Sequence, residues 1–216
     1  MAASVGPQES PVSEPLTLYS NPMSRGRIAR WMLEEIAEPF TVRYLDYDTT
    51  MKAPEFLALN PMGKVPTLVH GTRIVTEYAA ICAYLADSFP AAGLAPADRS
   101  AYYRWLFFGS GPLEAGIINK ALGFEVPPER ARTVGFRPLP VMLDALEAAL
   151  EARPYLAGEA FSAADVATGS QIGWGMQFGT IEPRPAFSSY WTRLSARPAY
   201  LRANAADNAA MPKQEA

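Results

Sequence analysis

Apolar residues recur along this chain first at the spacing of strands and later only at the spacing of helices. Leu16 to Tyr19 is a short apolar run closed by the turn residues Ser20-Asn21-Pro22, and reads as a strand. Ile28, Trp31, Met32 and Ile36 then share one face of a helix from about Ser24 to Ile36, ended by Glu38-Pro39. Phe40 to Leu45 alternates apolar and polar positions as a second strand. Pro54 to Leu59 supports one or two helical turns. Thr67 to Val69 and Arg73 to Val75 flank the turn His70-Gly71-Thr72 as a hairpin-like pair. A helix from about Glu77 to Ser88 follows, with Thr76 as its cap. The order is βαβ, a helix, then ββα.

Beyond Phe89 the strand spacing disappears. Residues 90–98, rich in Ala and Pro, read as a linker, and 99–216 as all-helical. Ala97 to Leu122 is one long helical pattern, and Gly109, Gly111 and Pro112 predict a kink at its middle. Pro127 to Ala152 is a second, divided by Gly135, Pro138 and Pro140. Ser162 to Phe178 is a third and carries almost no charge, as a buried helix should. Ser162 and Asp165 stand in capping-box register at its head, with Phe161 and Val166 placed for a hydrophobic staple, so both polar residues read as structural. Pro185 to Ser195 and Pro198 to Asn204 are shorter helices, each opened by a proline.

Composition narrows the chemistry more than the fold. The 216 residues carry a net charge of −3, which gives no basis for a nucleic-acid or anionic-membrane partner. Apolar runs are too short to span a bilayer, and residues 1–14 read as a flexible tail without the apolar core of a signal peptide. One cysteine permits no internal disulfide, in keeping with a reducing cytoplasm. His70, the only histidine, reads as an exposed turn residue, and Cys82 falls on an apolar helical stripe as a buried thiol. Too few His and Cys are present for a zinc site, so no metal is expected.

One segment stands apart: Asn60-Pro61-Met62-Gly63-Lys64-Val65-Pro66-Thr67-Leu68, with Thr76-Glu77 after a short turn. Proline directly before an apolar strand removes a ladder donor, so Val65-Pro66 reads as a loop end compatible with a cis bond. Such an edge offers the Val65 N–H and C=O to a ligand. Glu77 opens a helix whose free N–H groups suit a carboxylate, although an acid there also complements the helix dipole on its own account. Lys64 suits either a ligand carboxylate or plain solvation. Together these features form a shelf for a short extended peptide with a charged end.

That constellation resembles the cytosolic glutathione S-transferases, and the likeness runs from about Leu16 to about Asn204. It includes Leu18-Tyr19-Ser20-Asn21-Pro22-Met23-Ser24-Arg25, the Asn60 to Leu68 segment, Thr76-Glu77-Tyr78-Ala79-Ala80-Ile81, and Phe161-Ser162-Ala163-Ala164-Asp165. The resemblance implies a thioredoxin-like α/β half over residues 15–89 and an all-α C-terminal helical bundle. It also implies glutathione as co-substrate, a cytoplasmic homodimer and a hydrophobic small-molecule electrophile. Glutathione-dependent isomerisation or dehalogenation on the same fold, and a non-catalytic binding module, are the alternatives.

Carried over residue by residue, the Val65 backbone beside Pro66 pairs with the cysteinyl part of glutathione. Glu77 meets the γ-glutamyl ammonium. Tyr78 departs from the pattern, because many members have a serine there whose hydroxyl helps to bind the γ-glutamyl carboxylate. In a serine-type site a hydroxyl between the first strand and first helix favours the thiolate of glutathione. Ser20, which follows the strand, is preferred over Ser24, which sits at the helix cap. The electrophile pocket is expected along the helical half, among the aromatic residues Tyr103, Trp105, Phe108 and Trp174.

Overall fold

The computed structural model describes residues 14–212; the tail reading of the first residues lies, except for Glu14, outside them. Four strands form one sheet in the order β2-β1-β3-β4: β1 (Leu16–Ser20), β2 (Phe40–Tyr44), β3 (Thr67–His70) and β4 (Arg73–Thr76). β2 lies parallel to β1, which needs a crossover helix, and α1 (Gly26–Ile36) supplies it. β3 and β4 run antiparallel, joined by the tight turn at Gly71-Thr72. α2 (Pro54–Leu57) is the short helix before β3, and α3 (Tyr78–Ser88) packs back on the sheet beside α1. This is the expected thioredoxin-like half.

Two local expectations change. The hairpin turn is only two residues long, so His70 stays in β3 opposite Arg73 instead of standing exposed in the turn. Its ring is mostly buried, with Nδ1 2.9 Å from the Tyr84 hydroxyl and the Phe89 ring 5.6 Å away. Thr76 likewise belongs to β4, and Glu77 takes the cap position of α3 with φ of 64°.

The helical half contains α4 (Ser100–Phe108), α5 (Glu114–Leu122), α6 (Leu139–Ala152), α7 (Ala163–Gln177), α8 (Pro185–Ser195) and α9 (Pro198–Ala209). The kink expected inside the first long helix is a wide π-type stretch over Gly109–Leu113, between α4 and α5, with Pro112 inside it. Gly109 permits the approach of α7 there: a Cβ on it would stand 2.1 Å from the Thr168 Oγ1. α9 runs past Asn204, where the sequence pattern faded, because Ala203 and Asp207 continue its buried face.

α7 is the axis of the whole molecule, buried from Ala163 to Gly173 and packed on α1, α3, α4 and α8. Its near-absence of charge is the consequence of having no solvent face. The glycines let neighbours come close, since a Cβ on Gly173 would stand 2.5 Å from the Trp191 ring. Gly173→Ala is therefore expected to cost about 1–3 kcal/mol, the usual range for overpacking. A melting temperature equal to that of the wild type would refute this contact.

At the head of α7 the capping box is formed in both directions by Ser162 and Asp165. Asp165 is fully buried and also accepts from the Leu156 N–H at 2.9 Å and the Tyr190 hydroxyl at 2.7 Å. Burial pushes its carboxyl above the ordinary range, against the pull of those hydrogen bonds.

The two halves share one apolar core. Trp31 of α1 lies among Phe161, Trp191 and Tyr200 of the helical half. Polar ties from α1 to the C-terminal region reinforce the contact. Arg197 makes a two-pronged pair with Glu35 at 2.7 and 2.8 Å, and Arg27 reaches Asn204 and Asn208 at 2.9 Å. A fixed relation between the halves matters because the cleft lies between them.

Candidate active site

The loop before β3 is built to present an edge. Asn60 is buried, and its amide donates to the Lys64 carbonyl at 2.9 Å and the Thr67 Oγ1 at 3.1 Å, while its Oδ1 accepts from the Met62 N–H. Lys52 donates to the Gly63 carbonyl at 2.8 Å, and Gly63 takes the left-handed φ of 57° that suits glycine. The Val65-Pro66 bond that follows is cis. Among the described residues, the Val65 N–H and C=O pair with no other backbone group.

Beside that edge begins α3. Glu77 is exposed, and its positive φ is unusual for a residue with a Cβ, a type of strain found at ligand sites. The first N–H groups of α3 have no partner within the helix. Val65, Pro66, Glu77, Tyr78, Ala79 and Ala80 line one side of a cleft of about 380 Å³. Phe107, Ser110 and Glu114 line it from the helical half, joined by Arg25 from the head of α1. That volume lies within the range of small-molecule pockets, about 300–1,000 Å³.

Tyr78 does more than fill the core. It is almost wholly buried, and its hydroxyl accepts from Gln171 Nε2 of α7 at 3.0 Å. The same Gln171 amide lies 3.3 Å from Glu114 Oε2, and Arg25 pairs with Glu114 Oε1 at 2.7 Å. Burial, followed by the charge of Glu114, raises the Tyr78 phenol well above its ordinary value. Burial likewise pushes the Glu114 carboxyl up, opposed chiefly by Arg25. None of Arg25, Glu114 and Gln171 was picked from sequence as a site residue.

The two serines are placed very differently. Ser20 points with Leu16 and Leu18 to the buried face of β1, fully enclosed, and its hydroxyl has no partner among the described residues. A Cβ on Gly26 would stand 2.0 Å from that hydroxyl, so the head of α1 closes over Ser20. Ser24 is half-buried, donates to the Asn21 carbonyl at 2.7 Å and accepts from the Gly26 N–H at 2.9 Å.

The aromatic residues expected on the electrophile side do not line the cleft. Trp105 is buried against Phe108, with ring centroids 5.3 Å apart and edge to face. Tyr103 is exposed beside Phe107. Trp174 borders a separate water-sized cavity of about 20 Å³, with Trp31 and Tyr200. The cleft is reached instead by Phe107, Ser110 and Glu114, which recur at helical spacing through the π-type stretch. Trp105 and Phe108 sit on neighbouring faces of the same helix. Among the described residues, no group of His, Cys, Asp and Glu is suited to a metal ion, and no helix is long and apolar enough to cross a membrane.

Comparison with known proteins agrees with this fold. The family model for the glutathione S-transferase N-terminal domain matches residues 23–88, and that for the C-terminal domain matches residues 117–198. Glutathione S-transferase 3 of Zea mays is 32% identical over 210 residues, 89% of this chain and 94% of that protein. Glutathione S-transferase GST-4.5 of Xanthomonas campestris is 27% identical, over 84% of this chain and 93% of that one. Among solved structures, the glutathione S-transferase of Xylella fastidiosa superposes with a TM-score of 0.76 at 28% identity, over 89% of this chain and 98% of its own. A sphingomonad glutathione S-transferase complexed with glutathione gives a TM-score of 0.72, also at 28% identity, with the same coverage of both chains. With both domain models matched in order and a relative alike over nearly its whole length, the chain belongs to the glutathione S-transferase family.

Proposed function

We propose that this protein binds glutathione along the Val65 edge and uses it to attack a small electrophile, with Ser24 as the activating hydroxyl. The observation that carries the reading is the unpaired Val65 backbone held beside Glu77 and the head of α3 in one cleft. A cysteinyl residue can pair with Val65 as a strand would, and the γ-glutamyl ammonium can meet Glu77. Glutathione supplies the nucleophilic thiol. The chain's own work is to orient it, to keep the γ-glutamyl end at the head of α3, and to donate a hydrogen bond to the sulfur. Ser24 is favoured over Ser20 because Ser20 is sealed behind Gly26, and to serve the sulfur the Ser24 hydroxyl would turn its proton away from the Asn21 carbonyl when glutathione binds. The homodimer, the cytoplasmic location and the hydrophobic electrophile belong to the same proposal, and sedimentation of the purified protein tests the first.

Calorimetric titration with glutathione is the direct test; no binding heat and no protection from heat unfolding would leave a transferase fold without its co-substrate. Glu77→Gly gives a second, two-sided result. Glycine adopts the positive φ without strain, so folding is expected to gain about 1 kcal/mol. Loss of the carboxylate is expected to weaken glutathione by about 10–100-fold, the scale of one charged hydrogen bond. A variant that is both less stable and equally avid contradicts the role given to Glu77.

A further inference from the structure

Ser24 stands on the loop between β1 and α1, and whatever holds that loop decides where its hydroxyl points. Part of the hold comes from the α/β half. Asn21 donates to the Leu45 carbonyl at 2.8 Å and accepts from the Met23 N–H at 2.9 Å, and the Tyr47 hydroxyl donates to the Met23 carbonyl at 3.1 Å. The Pro22 carbonyl, just before Met23 and Ser24, is held from the helical half. Arg27 Nε donates to it, while Nη1 and Nη2 of the same side chain donate to Asn204 Oδ1 and Asn208 Oδ1, both at 2.9 Å. On the other side of Ser24, Arg25 is held by Glu114 of α5.

Asn204 and Asn208 stand one helical turn apart and share a face of α9. A guanidinium is a planar fork with fixed donor directions, so seating Nη1 and Nη2 on α9 also fixes where Nε can reach. α9 is itself anchored between these asparagines. Asp207, fully buried, accepts from the Tyr44 hydroxyl of β2 at 2.9 Å and lies 3.5 Å from Arg30 Nη1 of α1. We propose that Arg27 is a positioning residue for Ser24, carrying the place of α9 to the Pro22 carbonyl and so to the hydroxyl that serves the glutathione sulfur. The inference rests on the reading of Ser24 above. Once the Ser24 proton turns from the Asn21 carbonyl to the sulfur, the loop gives up one of its own bonds, and the tie through Arg27 counts for more. α9, which supplies none of the residues lining the cleft at Val65, thereby gains a part in the chemistry.

The test follows the thiolate absorbance of glutathione bound to the full chain across pH, with affinity measured by calorimetry. Arg27→Lys keeps the charge but not the fork. It is expected to raise the midpoint of thiolate formation by about one pH unit, toward the free-thiol value, with little change in affinity. The double variant Asn204→Ala/Asn208→Ala cuts only the α9 end of the tie, and the same rise is expected; it decides the matter should the Arg27 variant not fold. Arg202→Ala is the control, because it removes another link from α9 to α1, the pair with Glu34 at 2.8 Å, without touching the loop. Its midpoint is expected to match the wild type. Lower melting temperatures with an unmoved midpoint in the Arg27 and asparagine variants would make the tie purely structural and overturn the proposal. So would an equal rise in Arg202→Ala, since any loosening of α9 would then suffice. If glutathione on the wild type titrates like the free thiol, the Ser24 reading itself fails and takes this inference with it.

Discussion

Asp165→Ala is expected to destabilise the protein by about 3–5 kcal/mol, enough to deplete the folded state of an ordinary domain. The carboxylate sits at a node that receives the Leu156 N–H, the Ser162 N–H, the Ser162 hydroxyl and the Tyr190 hydroxyl, all within 2.7–2.9 Å. Alanine leaves these donors buried with no acceptor, and each buried donor so stranded costs about 1–3 kcal/mol. The loss is concentrated at the head of α7, the helix on which both halves pack. Asp165→Asn, which keeps the shape and one acceptor oxygen, should lose less. Denaturant unfolding of both variants measures the difference. A folded Asp165→Ala protein with an unchanged midpoint and no turnover would instead place Asp165 in the chemistry.

Ser24→Ala is expected to lower turnover by about 10–100-fold, on the scale of 1.4 kcal/mol per tenfold in rate. Without the hydroxyl, the thiol of bound glutathione should titrate nearer the free-thiol value, about 8.5. The same change removes the acceptor for the Gly26 N–H, so a loss of about 0.5–2 kcal/mol in stability accompanies it. Ser20→Ala is expected to behave in the opposite way. Its hydroxyl is buried without a partner among the described residues, so removing it should leave turnover intact and folding unchanged or slightly improved. Thiolate absorbance of the bound peptide across pH separates the two. Loss of thiolate in the Ser20 variant alone would reverse the assignment. Loss in neither would hand the activation to backbone N–H groups at the head of α1.

The preference for Ser20 at the level of sequence rests on its place after the strand, and the face it takes bears on it as well. Alternation along β1 sets Ser20 on the face of Leu16 and Leu18, which is buried. The aromatic residues on α4 show a different limit. Helical spacing reveals which residues share a face, but not which face meets the cleft. Phe107, Ser110 and Glu114 line the cleft, whereas Trp105 and Phe108 lie on other faces of the same helical run.

By itself the sequence determined what depends on near neighbours. The element order, the proline edge at Val65-Pro66, the capping box at Ser162 and Asp165 and the break at Gly109 to Pro112 all act within a few residues of where they are written. Tertiary structure alone decided the partners of the site. Tyr78 meets Gln171 across 93 positions of chain, and Glu114 meets Arg25 across the boundary between the two halves. No local pattern encodes those meetings, because each depends on how two separately formed surfaces pack around α7.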